Sequence, residues 1–259
     1  MTTLPTDRTW RRYGKKEPYF GVFGQPEYLR KNLNENTLDD FFSSGKEYSD
    51  ELFRMIREKI DPHFRPRSIL DFGCGPGRMI IPFSAHAEEI FALDISPAML
   101  EEAAANCRKH GIRNVTFRVA DDRLDCLHGK RFDLVHTFIV LQHLRVRRGE
   151  RLFSKLTGCL VEGGIGILHV TYSDRIAARR LVNFFRFRIP YLCYPLRIFS
   201  AILLRKSVQF SHQMQMNNYR LNRLFSLLQE SGVEEVLAIF TDHHGYRGVT
   251  LCFRKPPGG

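Results

Sequence analysis

Acidic residues are missing from one long stretch of this chain. Between Asp174 and Glu230 there is no Asp or Glu, while the 55 residues that separate them carry ten Arg or Lys. The formal net charge of the 259-residue chain is +11, so the excess belongs almost wholly to that stretch and does not make the whole protein a nucleic-acid binder. The six cysteines are scattered and form no C-x-x-C pair. That excludes a disulfide framework or a zinc-ribbon pattern and points to reduced, cytoplasmic surroundings. Long apolar runs are also lacking, and none reaches the ~20 residues that span a bilayer. The polar and aromatic N-terminus has no apolar core of signal-peptide type, so export is not expected. No metal cluster is recognisable; the His243-His244 pair has no acidic or Cys neighbour in sequence and reads as loop.

What is present begins at Ser68-Ile69-Leu70-Asp71-Phe72-Gly73-Cys74-Gly75-Pro76-Gly77-Arg78. An apolar run ends in an acid, glycines alternate with other residues, and a helix-like stretch from Met79 to Ala87 follows. This is the layout of a strand, a tight turn and a helix. Glycines permit positive φ and close approach of a ligand to the backbone, and a helix start offers unpaired N–H groups. The dinucleotide fingerprint G-x-G-x-x-G fits at Gly73 and Gly75, but its third position falls on Arg78, whose side chain is expected to obstruct helix–strand packing under a pyrophosphate. NAD and NADP are therefore not expected as ligands.

The observed spacing, Asp71-x-Gly73-x-Gly75-x-Gly77, resembles motif I of the class I S-adenosylmethionine (SAM) dependent methyltransferases. The order of elements that follows extends the resemblance over about residues 67–173 and 213–255. Ile90 to Asp94 reads as a second strand ending in an acid, and Ser96-Pro97 as the start of a helix that stops at Gly111. Asp94 lies 23 residues after Asp71, where a βαβ unit puts a carboxylate in reach of ribose hydroxyls. Val115 to Val119 is a third strand. Phe132 to Thr137 is a fourth, followed by a turn that contains His143. Val161 to Gly164 reads as a turn before a fifth strand, Ile165 to Val170. A helix over 217–231, a strand Val236 to Phe240, a glycine-containing turn Gly245 to Gly248 and a strand Val249 to Phe253 complete the pattern. The resemblance implies an α/β fold: a seven-stranded doubly wound sheet with its last strand antiparallel, and SAM as cofactor. It also implies cofactor contacts from Asp71, Gly73, Cys74, Gly75, Gly77, Asp94, Ile95 and Thr137. Asp121 or Asp122 is the acid on the adenine side; two consecutive acids leave that register open by one. Arg78 is a partner for the methionine carboxylate or a solvated surface residue.

Two segments flank this domain. Residues 1–66 lack strand alternation, interleave Arg8, Arg11 and Arg12 with Trp10 and Tyr13, and turn helical from Thr37, with an interruption at Ser43-Ser44-Gly45 and a stop at Asp61-Pro62. They read as a helical cap whose aromatics mostly pack on the domain. Residues 174–212 are basic and aromatic, broken by Pro190 and Pro195, and read as an insertion covering the acceptor or as a packed helical hairpin. Residues 175–206 are expected to touch an anionic membrane surface.

The expected function is transfer of a methyl group to an O or N atom of a small-molecule, sugar or lipid-linked acceptor. An RNA methyltransferase and a SAM-fold protein without catalysis are the alternatives, and nucleic acid is not an expected partner. Candidate bases are His143, His136, His169 and Tyr172, with His143 best placed; a structural role for it stays open.

Overall fold

The computed structural model describes residues 5–174, 214–243 and 245–256. The apolar run that follows residues 1–66 becomes β1 (Ser68–Phe72), all five residues of which are buried, as befits a central parallel strand covered on both faces. Around it stand β2 (Glu89–Asp94), β3 (Val115–Val119), β4 (Phe132–Thr137), β5 (Leu160–Asp174), β6 (Val236–His243) and β7 (Tyr246–Arg254). Their order is β3-β2-β1-β4-β5-β7-β6. The first five run parallel, and β7 is antiparallel to both of its neighbours.

Side chains alternate across the sheet with period two. Ile69, Ile90, Leu134 and Ile167 face α3 (Glu35–Lys59), α4 (Ile80–Phe83) and α5 (Pro97–Lys109). Leu70, Leu93, Val135 and Leu168 face α6 (Val146–Gly158) and α7 (Leu221–Glu230). Two further helices, α1 (Pro5–Lys16) and α2 (Pro18–Phe23), lie at the C-terminal edge of the sheet, where Tyr13, Tyr19, Phe20, Tyr28, Phe41 and Met99 form a third cluster.

Several boundaries differ from the sequence reading, each for a tertiary reason. Ser43-Ser44-Gly45 does not interrupt α3. A capping box holds its start, Asn34 Oδ1 accepting from the Thr37 N–H (3.0 Å) and Thr37 Oγ1 from the Asn34 N–H (2.9 Å). Gly45 is buried against the Arg78 carbonyl, a space that any Cβ would enter. The helix after the glycine turn is four residues long, not nine, so unpaired N–H groups of a long helix are not what faces the turn. Residues 217–220 are extended rather than helical, because the Asn217 and Tyr219 N–H groups donate to the Gln142 and Thr171 carbonyls (2.7 and 2.8 Å). Val161 to Gly164 is a bulge inside β5 and not a turn: Phe132 pairs with Leu160 and Leu134 already with Ile165. The last hairpin is longer than expected, with His243 paired to Tyr246. The basic segment 175–206, with the insertion that contains it, lies outside the described residues. Among the described residues no helix is long and apolar enough to cross a membrane.

Candidate functional site

A cavity of about 980 Å³ opens at the C-terminal ends of β1, β2 and β4. This is where strand order reverses, between β1 and β4, the usual ligand crevice of an open α/β sheet. Its floor is the glycine turn. Gly73 sits at φ +84° and Gly77 at +95°, conformations that side chains with a Cβ rarely adopt. A Cβ on Gly73 would run into the Val140 side chain, and one on Gly77 would sit 3.3 Å from Ala103 Cβ of α5. Gly77 therefore gives the close helix packing, and Arg78 is not in that interface at all. The expected obstruction by Arg78 is corrected accordingly: its side chain turns into the cavity, its guanidinium 5.6 Å from the Phe23 ring and 5.8 Å from that of Tyr48, with one bond to Ser44 Oγ at 3.4 Å. Burial lowers its pKa, against the opposing pull of Tyr48 and Asp71.

Two carboxylates flank the turn, Asp71 before it and Asp94 on its central glycine. Asp94 accepts from the Gly75 N–H (3.1 Å) and the Ser96 N–H (2.8 Å), which fixes its orientation toward the cavity. Burial pushes its pKa up to about 6, although those two N–H groups work in the other direction. Asp71 is buried beneath the turn. One oxygen is 2.8 Å from His136 Nδ1, and the other has no hydrogen-bond partner among the described residues.

The remaining expected residues divide. Cys74, Ile95, Asp121 and Asp122 line the cavity. The Cys74 thiol is pushed well above its usual pKa by burial and is no nucleophile. Asp121 caps its own turn, accepting from the Arg123 N–H at 2.7 Å. Asp122 accepts from Arg148 Nε at 2.7 Å, and the same guanidinium donates through Nη1 to Asp7 Oδ1 at 2.6 Å. That clasp ties α1 to α6 over the mouth of the cavity. Gly77 and Thr137 are not among the lining residues; Thr137 is fully buried and its hydroxyl has no partner.

Of the candidate bases, His143 and His136 line the cavity, and His169 and Tyr172 do not. His143 Nδ1 lies 2.8 Å from the Gln215 carbonyl, so it donates there, and the ring packs 4.7 Å from Trp10. Burial holds its pKa down at about 4, with the Gln215 and Ile139 backbone groups opposing, and the ring is neutral at pH 7. His169 sits behind Phe138, its Nε2 3.0 Å from Thr241 Oγ1, and burial lowers its pKa to about 3. Tyr172 packs on Phe240.

Sequence reasoning missed the opposite wall. Trp10 and Val22 come from α1 and α2, Tyr48 from α3, Met214 and Met216 from the segment before α7, and His243 and Tyr246 from the last hairpin. His243, read as loop, ends β6 and stacks against Phe138 (5.7 Å). Only the Arg-aromatic interleaving around Trp10 was a local signal; the others reach the site through tertiary placement. Ile139 in the same wall has φ +57°, a strained conformation for a β-branched residue of the kind that gathers at ligand sites.

Comparison with known proteins agrees with this geometry. Residues 69–164 match a family described as a methyltransferase domain. The chain has the class I methyltransferase fold. The chain is 29% identical over 140 residues to a release factor glutamine methyltransferase of Xylella fastidiosa, covering 51% of the chain and 50% of that protein. It is 33% identical over 134 residues to a trans-aconitate 2-methyltransferase of Methylobacterium radiotolerans, covering 50% and 48%. The chain thus spans about half the length of the curated relatives it matches. In fold it resembles the magnesium protoporphyrin IX methyltransferase of Synechocystis with bound SAM, with TM-score 0.60, 16% identity, and 98% and 99% of the two chains covered. The N-methyltransferase NodS of Bradyrhizobium japonicum, with S-adenosylhomocysteine, aligns at TM-score 0.56 and 14% identity over 96% and 98%.

Proposed function

We propose that the cavity binds SAM and that the protein transfers its methyl group to an O or N atom of a small-molecule, sugar or lipid-linked acceptor. One observation carries the reading: a carboxylate fixed by backbone N–H groups (Asp94) and a buried carboxylate oxygen without a partner among the described residues (Asp71) line one cavity beside one glycine turn. Asp94 suits two vicinal ribose hydroxyls, and the free oxygen of Asp71 suits an ammonium. Asp121 and Asp122 border the adenine side, and Arg78 offers a cation to the methionine carboxylate. SAM, when bound, supplies an electrophilic methyl on a sulfonium with a good leaving group.

The chain's own residues then have a limited task, which is alignment. At about 980 Å³ the cavity is at the upper end of the range for small-molecule sites, so an acceptor fits beside the cofactor. The acceptor half is walled by Trp10, Phe138, His143, Met214, Met216 and His243, mostly rings and thioethers that exclude water and hold an uncharged body. His143 accepts a proton weakly at neutral pH, because burial favours its neutral form. It therefore orients an acceptor hydroxyl or amine through Nε2 and takes its proton late, as the methyl bond forms. Cytoplasmic location and contact with an anionic membrane through residues 175–206 belong to the same proposal, motivated by the charge of that segment.

Isothermal titration with SAM tests the donor site. Asp94→Ala is expected to weaken binding by about 1.5–3 kcal/mol, the worth of lost charge-assisted hydrogen bonds. An unchanged affinity refutes the assignment. A methyl-donor assay against pooled metabolites, lipids and RNA then identifies the acceptor, and labelling of the RNA pool alone refutes the small-molecule reading.

A further inference from the structure

We propose that His136 and Tyr48 are positioning residues for the amino-acid end of the cofactor: they lock the Asp71 carboxylate so that its second oxygen is presented to an ammonium. The inference rests on the reading of the cavity as a SAM site. It begins with register. Asp71 and His136 are direct neighbours on the parallel pair β1–β4, so their side chains leave the sheet on the same face. His136 Nδ1 is 2.8 Å from Asp71 Oδ1, and the two side chains are 1% and 4% exposed. Because the carboxylate only accepts, Nδ1 carries the proton and Nε2 is bare. Tyr48 of α3 stands 3.3 Å from Nε2 and donates its hydroxyl to it. Phe83 packs edge-on against the imidazole at 5.1 Å and closes its remaining side.

Both ring nitrogens of His136 are thus occupied. The arrangement removes it from the list of candidate bases and leaves it one effect, on Asp71. With Oδ1 held, the carboxylate plane is set and Oδ2 has one direction in which to find a donor. Among the described residues Oδ2 is buried without a partner, a costly state for a carboxylate oxygen, and Asp71 lines the cavity. Arg78 does not pair with Asp71; its guanidinium lies on the Tyr48 ring. An acid with one free oxygen and a planar cation therefore sit apart, with Tyr48 in contact with both the His136 chain and Arg78. An α-amino-acid zwitterion carries the complementary pair of charges, ammonium for Asp71 and carboxylate for Arg78, whereas a nucleoside without the amino-acid tail leaves both unmet.

The test compares S-adenosylhomocysteine with 5′-methylthioadenosine, which keeps the nucleoside and thioether and lacks the amino-acid end. In His136→Leu, affinity for S-adenosylhomocysteine is expected to fall at least about tenfold, as for one lost charged hydrogen bond, with 5′-methylthioadenosine within about twofold of wild type. His136→Asn, whose amide can again offer an N–H to Asp71, is expected to recover most of the loss. Tyr48→Phe, which keeps the ring and removes the hydroxyl, is expected to weaken S-adenosylhomocysteine alone by about threefold. A structural role for His136 would weaken both ligands together, and that result, or no loss for either, overturns the proposal. If His136→Leu does not fold, the same comparison is read from His136→Asn and Tyr48→Phe. Wild-type protein that binds neither ligand overturns the cofactor reading, and this one with it.

Discussion

Asp94, the proposed partner of the ribose, works against the fold. Its pKa is raised from 3.8 to about 6 by burial, so the folded protein holds a proton there that the unfolded chain has released. Between about pH 4 and pH 6 the native state binds more protons than the unfolded state, and this residue's contribution to stability falls as pH rises through that window. Asp94→Asn removes the charge and keeps one oxygen for the Gly75 or Ser96 N–H. The variant is expected to gain stability relative to wild type on going from pH 4 to pH 7, measured by urea denaturation at each pH, while losing SAM affinity. A stability difference that does not change with pH contradicts the burial argument. SAM binding to the wild type should weaken as pH drops through about 6, because the ribose hydroxyls need the carboxylate. Asp94 and the glycine turn were readable in the sequence because their geometry is local: an apolar strand, an acid at its tip, and residues that tolerate positive φ. Tyr48 and His136 were not readable as a pair, since 88 residues separate them and only the packing of α3 against the sheet brings them together.

At the scale of elements, the placement of α1 over the cavity depends on Arg148. Its side chain is 11% exposed and that of Asp7 12%, so the pair is largely out of water and only weakly screened by salt. Arg148→Met leaves Asp7 without its cation, and breaking a pair of this kind costs about 3–5 kcal/mol when it is fully buried. The expected result is faster amide exchange in α1, by about tenfold or more, with α3 and α5 unchanged. Uniform acceleration across the chain would mean that the clasp supports the whole fold and not the roof. Helix α3 makes a second case. Sequence suggested a break at Ser43-Ser44-Gly45, yet the glycine is there so that the helix can lie on the Arg78 carbonyl. Gly45→Ala is expected to destabilise by about 1–3 kcal/mol, as overpacking does, against the slight gain that alanine brings to an exposed helix position. Strands β1 and β4 were legible because they lie inside the sheet and their runs are apolar, whereas the edge strand β3 is only half-buried and was placed by its position in the element order. The extended stretch 217–220 was not, since its backbone hydrogen bonds go to Gln142 and Thr171, residues far off in the chain.

Across the whole molecule, the cavity is assembled from both wings of the sheet and from the N-terminal helices. A ligand that fills it ties those parts together. S-adenosylhomocysteine at 100 times its dissociation constant should raise global stability by ~2.7 kcal/mol, and should slow exchange in α1 and α2 as well as in the glycine turn. Protection confined to the turn would show that the roof takes no part in binding.

The reversal of strand order between β1 and β4 has a wider consequence. Everything assigned to the methyl donor on the β1–β2–β3 side lies between residues 71 and 122, a continuous half of the sheet. The opposite wall draws on α1, on residues 214–216 and on the tip of the last hairpin, near Gly245. The chain is therefore modular in an evolutionary sense. Under the proposed function, exchange of the hairpin tip or the segment before α7 would alter acceptor choice while the donor half is kept, and libraries for altered specificity belong at those positions.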